Sequence, residues 1–421
     1  MIERNDNLLA LLCGATPKQF LDGTHRAVAP EETWDRVAPL LPRFGITRVA
    51  NVTGLDRIGI PVVMVVRPNA RTLAVSQGKG RSLAAARVSG VMESLEDHHA
   101  ERATPPVRLA RYEELAGEAV VVDPALLPRS ASSIYSPRLA LPWVEGIDLM
   151  AREAAWVPFE LVHANASLPR LPGSGAFQCT TNGLAAGNTP AEAACHALLE
   201  LVERDALALF DHTGEAGRAA LRIDLDGVDD DGCRALIDRF AAADVGVAAW
   251  NVTSDVGVPV VRVVISDRAA DAELNPMPAA FGSGAHPARH IALSRALTEA
   301  AQSRLTAITG ARDDFTRRRY RAFSDHAVLA RHRALAAEAG TLRWTSLPTF
   351  AGATVEEDLG FVLAGLRAAG CARAVAVDLS RPGLPFFVMR AVVSGLEGTT
   401  EGASYRPGAR ARARQEATRG A

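Results

Sequence analysis

Glu192, His196, Glu200 and Glu203 are the residues of this chain whose types and spacing most readily do chemistry. On a helix, at about 100° per residue, the four fall within about 80° of one another. The rest of the stretch (Ala193, Ala194, Leu198, Leu199, Leu201 and Val202) is suited to burial. An acidic stripe beside a core-facing surface needs a counter-charge, and a divalent cation is the simplest one. A plainer reading stands beside it. Thr189-Pro190-Ala191-Glu192 has the form of a capping box with proline at the first helical position, which would make Glu192 a helix-closing residue. Glu200 and Glu203 would then be a solvated face.

Two further stretches carry matching chemistry. Ser76-Gln77-Gly78-Lys79-Gly80 precedes a helix expected from about Ser82, on which Glu93 and Glu96 share a face. Of 46 basic residues only Lys18 and Lys79 are lysine, so a lysine between glycines points to a position where a compact ammonium is wanted. A glycine-flanked lysine ahead of a helix suits phosphate, although the first glycine and the Ser/Thr of a Walker A loop are missing. In the other stretch, Arg295, Glu299 and Gln302 fall within roughly 60° on a helix and Arg304 points about opposite. Arg295 and Glu299 also fit an ordinary i,i+4 ion pair.

Together these stretches resemble the YcaO family. The matching text is the Gly78-Lys79-Gly80 turn with Glu93-x-x-Glu96, the block from Asn182-Gly183 to Arg204-Asp205, and the run from Arg295 through Glu299 and Gln302 to Arg304. A fourth match runs from Val377-Asp378-Leu379-Ser380 through Pro385 to Gly395-Leu396-Glu397-Gly398. The stretch Gly45 to Asp56 is similar to the branch whose members act beside a TfuA-type protein.

The resemblance implies a YcaO-type α/β fold of mixed α+β layers and an ATP site without a P-loop, in which glutamates hold Mg2+. Glu93 and Glu96 would hold one side of the metal cluster, and Glu200 and Glu203 the other, with Glu192 and Asn188 beside them. Arg204 and Arg295 would meet phosphate oxygens, making Glu200, Glu203, Arg204 and Arg295 the catalytic set. Ser76, Lys79, Glu299 and Gln302 would complete the nucleotide's surroundings. Thr24-His25-Arg26 and Glu31-Glu32-Thr33 match a segment where a basic residue and a hydroxyl contact the nucleotide, here Arg26 and Thr33. So many glutamates repel one another unless a cation joins them.

The implied chemistry is activation of a peptide backbone amide: a nucleophile adds to the carbonyl, ATP phosphorylates the resulting oxygen, and phosphate leaves. An internal thiol or hydroxyl gives an azoline ring, and external sulfide gives a thioamide. Positioning and charge neutralisation do most of such a phosphoryl transfer. Cyclising members often end in Pro-x-Pro-x-Pro, whereas this chain ends in an arginine-rich run from Arg406. The roughly 45 residues before the first family strand are too few for a fused leader-binding domain. Both points favour thioamide formation on a ribosomally made peptide or protein, with a TfuA-like partner and a sulfur donor. Azoline formation, ATP-dependent amide cleavage and a non-catalytic nucleotide-binding scaffold are the alternatives, the scaffold disfavoured by the complete glutamate set.

Composition sets the frame. A chain of 421 residues, 48% hydrophobic, can bury a large core in packed subdomains. The division expected is 1–45 as a nucleotide-contacting segment, 46–400 as the YcaO domain, and 401–421 as a poorly ordered tail. A net charge of −2 gives no electrostatic case for nucleic acid or membrane. A polar start and the absence of an apolar run of about 18 residues argue for a cytoplasmic protein, as do five cysteines without metal-ligand spacing. Cys179 and Cys195 flank the site and read as small buried hydrophobes, with sulfur carriage by Cys179 the lesser reading. His196 reads as a proton carrier or as a structural histidine. A homodimer is expected.

The elements that must position these residues follow from periodicity and turn signals. Strands are expected near 46–53, 60–67 and 72–76, then the Glu93 helix, a loop-rich stretch over 123–143 and strands near 157–163. The central helix is expected over 190–212, a helix over 230–243, strands over 245–252 and 258–265, and then the Arg295 helix. An Ala/Arg-rich helix near 324–339 and a helix–strand–strand unit over 355–394 complete the order. The mixture predicts α/β layers rather than a doubly wound sheet.

Overall fold

The computed structural model describes residues 12–268, 279–318, 320, 325–400 and 405–420. Three antiparallel sheets carry the fold. The first has the order β1-β2-β3, from Arg48–Asn51, Val62–Val66 and Val75–Lys79. The second has six strands: β4 (Val107–Ala110), β5 (Leu141–Asp148), β6 (Glu153–Pro158), β7 (Leu184–Gly187), β11 (Ala374–Asp378) and β12 (Phe387–Val393). Its order is β4-β5-β11-β12-β7, with β6 paired to β5. The third is β10-β9-β8, from Ala280–Ala285, Val260–Asp267 and Val245–Asn251.

Ten α-helices are described: α1 (Pro30–Val37), α2 (Leu83–Glu101), α3 (Tyr112–Ala116), α4 (Pro190–Asp211), α5 (Glu215–Ala220), α6 (Asp231–Ala242), α7 (Arg289–Thr309), α8 (His326–Ala337), α9 (Val355–Ala368) and α10 (Ala409–Gly420). Helix α2 packs on the first sheet, α4 on the second and α7 on the third. The expected mixed layers are therefore present, and the pairings between these twelve strands are all antiparallel.

Two close approaches explain strands that periodicity hides. On β10, Ala280-Phe281-Gly282-Ser283-Gly284-Ala285 has too little apolar alternation to read as a strand, yet it lies directly against α7. A Cβ on Gly282 would sit 2.1 Å from the Ala296 carbonyl oxygen, and one on Gly78 of β3 2.0 Å from that of Ala86 in α2. Glycine at these positions lets helix and strand backbones touch. Strand β7 likewise runs through what the sequence shows as a glycine-rich turn, and β4 and β5 also fall outside the expected strands.

Thr189 caps α4, its Oγ1 accepting the Glu192 N–H at 3.2 Å with Pro190 at the first helical position. The capping box is not completed. Glu192 turns away to Arg26 Nη1 at 2.9 Å and the Ala27 N–H at 3.2 Å. Helix α4 then buries Ala194, Leu198, Leu201 and Val202, as its composition requires.

The C-terminal run, expected to be poorly ordered, forms α10 and docks on α4. Arg410 Nε and Nη2 donate to the two oxygens of Asp205 at 2.9 and 3.0 Å, and Glu397 accepts from Gly408 N–H and Ala411 N–H at 2.7 and 2.9 Å. A buried aspartate without that guanidinium would be costly, so the arginine orders the segment. Residues 1–11 and 401–404 of the expected terminal segments lie outside the described residues.

Candidate functional site

Among the described residues, strands β3, β7 and β10 each end their sheet, leaving one edge without a neighbouring strand. The backbone N–H groups along those edges meet carboxylates. Gln77 N–H of β3 bonds to Glu93. Ala186 N–H of β7 donates to Glu96 at 2.7 Å, and Gly183 N–H, just before β7, to Glu200 at 3.2 Å. From β10, Ser283 N–H donates to Glu299 at 3.2 Å and Ala285 N–H to Glu203 at 3.0 Å. The acids come from α2 (Glu93, Glu96), α4 (Glu200, Glu203) and α7 (Glu299). Each edge donor fixes one carboxylate oxygen and satisfies a backbone group that would otherwise be orphaned.

These acids line one cleft of about 800 Å³, within the size range of small-molecule sites. Arg26, Thr33, Lys79, Asn188, Glu192, His196, Arg204, Arg295 and Gln302 line it too. Thr33 Oγ1 donates to Asn188 Oδ1 at 3.2 Å, tying α1 to the turn before α4. Lys79 pairs with Glu299, and Gln302 Nε2 donates to the Gln77 carbonyl at 2.9 Å. Ser283 Oγ lies 2.6 Å from Glu203 and 3.1 Å from Glu299 and bridges the two. Arg304, expected to serve another purpose, is held by Asp56 and Asp267 at 2.8 and 2.9 Å.

Ser76 departs from the expectation. Its hydroxyl faces α2, 3.5 Å from Asp97 Oδ2, and it is not among the cleft-lining residues. Strand alternation is the reason: Gln77 and Lys79 face α7, so Ser76 and Gly78 must face α2. Asp97 was missed by the sequence reading. It lines the cleft one residue beyond Glu96 and four beyond Glu93, a spacing visible in the sequence.

Burial and mutual repulsion dominate the electrostatics of these acids. Burial pushes Glu93 up to about 8, with Asp97 adding to the rise. Asp97 rises to about 7, also by burial, opposed by Arg67. Glu96 lies well above the usual carboxylate range through burial and the nearby Glu93, Asp97 and Glu200. Glu200 is raised by burial against the pull of Arg204. Glu299 goes the other way, held low by Lys79 and Arg204 despite its burial. His196 is kept neutral by burial and by Arg295, Arg26 and Lys79. Arg295 Nε is buried with no partner among the described residues. Clustered hard oxygens that cannot all ionise, beside an orphaned guanidinium donor, suit Mg2+ shared with a phosphate.

Comparison with known proteins gives the family and its cofactors. The family described as YcaO cyclodehydratase, ATP- and Mg2+-binding, matches residues 77–397. A protein from the tfuA 3' region of Rhizobium leguminosarum bv. trifolii is 38% identical over 392 residues, covering 92% of each chain. A Methanothermobacter thermautotrophicus protein is 35% identical over 381 residues, 88% of this chain and 95% of its own. Among solved structures, YcaO from Methanopyrus kandleri bound with AMPPCP and Mg2+ superposes with a TM-score of 0.70 at 27% identity, covering 91% of this chain and 95% of that one. A heterocyclase in complex with substrate and cofactor shares the fold, with a TM-score of 0.74 at 21% identity; the match covers 91% of this chain but only 54% of that longer one. With a family match over residues 77–397 and relatives matched over 92% and 88% of its length, this chain belongs to the YcaO family.

Proposed function

We propose that this protein binds Mg-ATP in the carboxylate cleft and uses it to activate a peptide backbone amide by O-phosphorylation, forming a thioamide beside a TfuA-type partner. The observation that carries the nucleotide reading is the convergence of buried acids from three helices on three sheet edges, with Arg295 Nε unpaired among them. Glu93, Glu96, Glu192, Glu200 and Glu203 would hold Mg2+, which supplies charge neutralisation for the transferred phosphoryl group. Arg204 and Arg295 face phosphate oxygens, while Arg26, Thr33, Lys79, Asn188, Glu299 and Gln302 position the nucleotide. Asp97, in contact range of Ser76 and beside Glu93 and Glu96, joins the metal-holding group.

The chain's own contribution is to hold these groups in place before the reaction. Backbone donors fix the carboxylates, and the cleft withdraws them from water, where each charge counts for more. His196 lines the same wall and is kept neutral by burial and by Arg295, Arg26 and Lys79, which also weaken it as a base.

The thioamide reading draws support from the tfuA-region relative, and the family description and the heterocyclase fold favour azoline formation as the second reading. Mass spectrometry of a treated peptide separates them: about +16 Da for sulfur replacing oxygen and about −18 Da for cyclodehydration, from atomic composition alone. Calorimetric titration of ATP with and without Mg2+ tests the site itself. Mg2+-dependent binding that is lost in Glu203→Gln supports the assignment, and nucleotide binding equal to wild type in that variant overturns it. The expected homodimer is tested by sedimentation equilibrium. No described helix is long and apolar enough to cross a membrane.

A further inference from the structure

We propose that His25, His286 and Asp358 form a second metal site, for a borderline divalent cation such as Zn2+, outside the carboxylate cleft. The three arrive from separate parts of the fold: the segment before α1, the residue after β10, and the first turn of α9. One ligand atom from each lies within 4.8 Å of the others. Asp358 Oδ2 is 4.0 Å from His25 Nδ1 and 3.9 Å from His286 Nε2. Ligands of tetrahedral zinc stand roughly 3.3 Å apart, so the two histidine–Asp358 separations must close by about 0.6 to 0.7 Å and a separation at the 4.8 Å limit by about 1.5 Å.

His25 Nδ1 is buried with no hydrogen-bond partner among the described residues, while the Asp358 carboxylate also takes a backbone hydrogen bond from Gly352. Lys18 Nζ sits 2.6 Å from Asp358 Oδ2 and 2.8 Å from the Gly352 carbonyl. Asp358 Oδ2 is also the oxygen facing both histidines, so a metal would share it with the lysine or displace the lysine toward the Gly352 carbonyl. His286 Nδ1 accepts the Ala288 N–H at 3.0 Å. Ligation through Nε2 would move the ring proton to Nδ1 and give up that bond, a small loss against a metal–nitrogen bond. Burial keeps both rings neutral, the form that ligates.

The adjoining cavity of about 30 Å³ has room for an ion and one water. His290, whose ring centre is 5.9 Å from that of His25, stands as an outer neighbour. Two nitrogens and one carboxylate favour Zn2+ or Co2+ over Mg2+, whereas the cleft offers its metal only hard oxygens. The site would act as a staple. His25 adjoins Arg26, and His286 adjoins Ala285, whose N–H holds Glu203. An ion there would lock the N-terminal segment to the end of β10 without touching the nucleotide.

The test is addition of Co2+ to the chelator-treated full-length protein, with excess Mg2+ present to occupy the carboxylate cleft. We expect one equivalent to give the intense visible bands of low-coordinate, nitrogen-ligated cobalt, with Zn2+ displacing it and raising Tm. Glu203→Gln should retain the bands, and His25→Ala and His286→Ala should each lose them. A faint spectrum of six-coordinate, all-oxygen cobalt in the wild type would overturn the proposal and leave Lys18 as the only cation serving Asp358. Bands persisting in either histidine variant would overturn it equally. Should a histidine variant fail to fold, X-ray absorption on the wild type decides, because multiple scattering from the imidazole rings marks histidine ligation and its absence overturns the proposal.

Discussion

Magnesium should enter this protein by displacing protons, and the size of the effect can be worked out from the cleft. Burial disfavours the charged forms of Glu93 and Asp97 and pushes them up to about 8 and about 7. An acid of pKa about 8 is ionised about 1% of the time at pH 6 and about half the time at pH 8. If the metal needs Glu93 ionised, apparent affinity should rise about 50-fold across those two units, and Asp97 should add about tenfold more. The same shifts act on the fold itself. Metal-free protein holds protons that the unfolded chain has already released, so its stability should fall as pH climbs from 4.5, the ordinary glutamate value, toward 8. One such group contributes about 1.4 kcal/mol per pH unit, and Mg2+ should restore the loss. Calorimetry at pH 6, 7 and 8, in buffers of different ionisation enthalpy, measures affinity and proton release together. Nucleotide phosphates titrate in the same window, so Glu93→Gln is the reference: it should release about one proton fewer per ion. A pH-independent affinity with no proton release would refute the argument.

Other substitutions separate roles within the fold. Lys79→Ala should lower turnover far more than stability, because its pairing with Glu299 is only partly buried; a large fall in Tm with normal turnover would make Lys79 structural. Arg410→Ala strips buried Asp205 of its guanidinium and should cost about 3 kcal/mol in denaturant unfolding. Gly282→Ala drives a methyl group into the Ala296 carbonyl, 2.1 Å away, and should lower stability by about 2 kcal/mol, read as a fall in Tm. Arg304→Ala strips buried Asp56 of its guanidinium and leaves Asp267 with Arg57 alone, and should destabilise the fold while sparing nucleotide affinity in the protein that remains folded.

Much of the cleft was legible because helices announce themselves. The 3.6-residue period puts Glu192, Glu200 and Glu203 on one face, and the structure keeps them on one wall. Arg304 pointing away from Arg295 follows from the same arithmetic. The strands facing those helices were harder to see. Strand β10 is built from glycine, alanine and serine because α7 presses directly on it, so the apolar alternation that marks most strands is absent. Ser76 was misplaced for a related reason: without knowing that β3 begins at Val75, the parity that turns its hydroxyl to α2 cannot be assigned. Nor does sequence show that an arginine-rich tail will find Asp205, which lies roughly 200 residues away and is paired only through tertiary structure.

The carboxylates also do for the sheets what a neighbouring strand would do. Without them, β3, β7 and β10 would expose bare amide edges inside the protein, open to water or to pairing with another chain. The residues that would handle a metal are thus also the seams along which the three sheets are closed. Truncating one to alanine removes a charge and unzips an edge in the same stroke, so a dead alanine variant cannot be read as purely catalytic. Glutamine, which keeps an oxygen for the strand while losing the charge, is the replacement that tells chemistry from architecture.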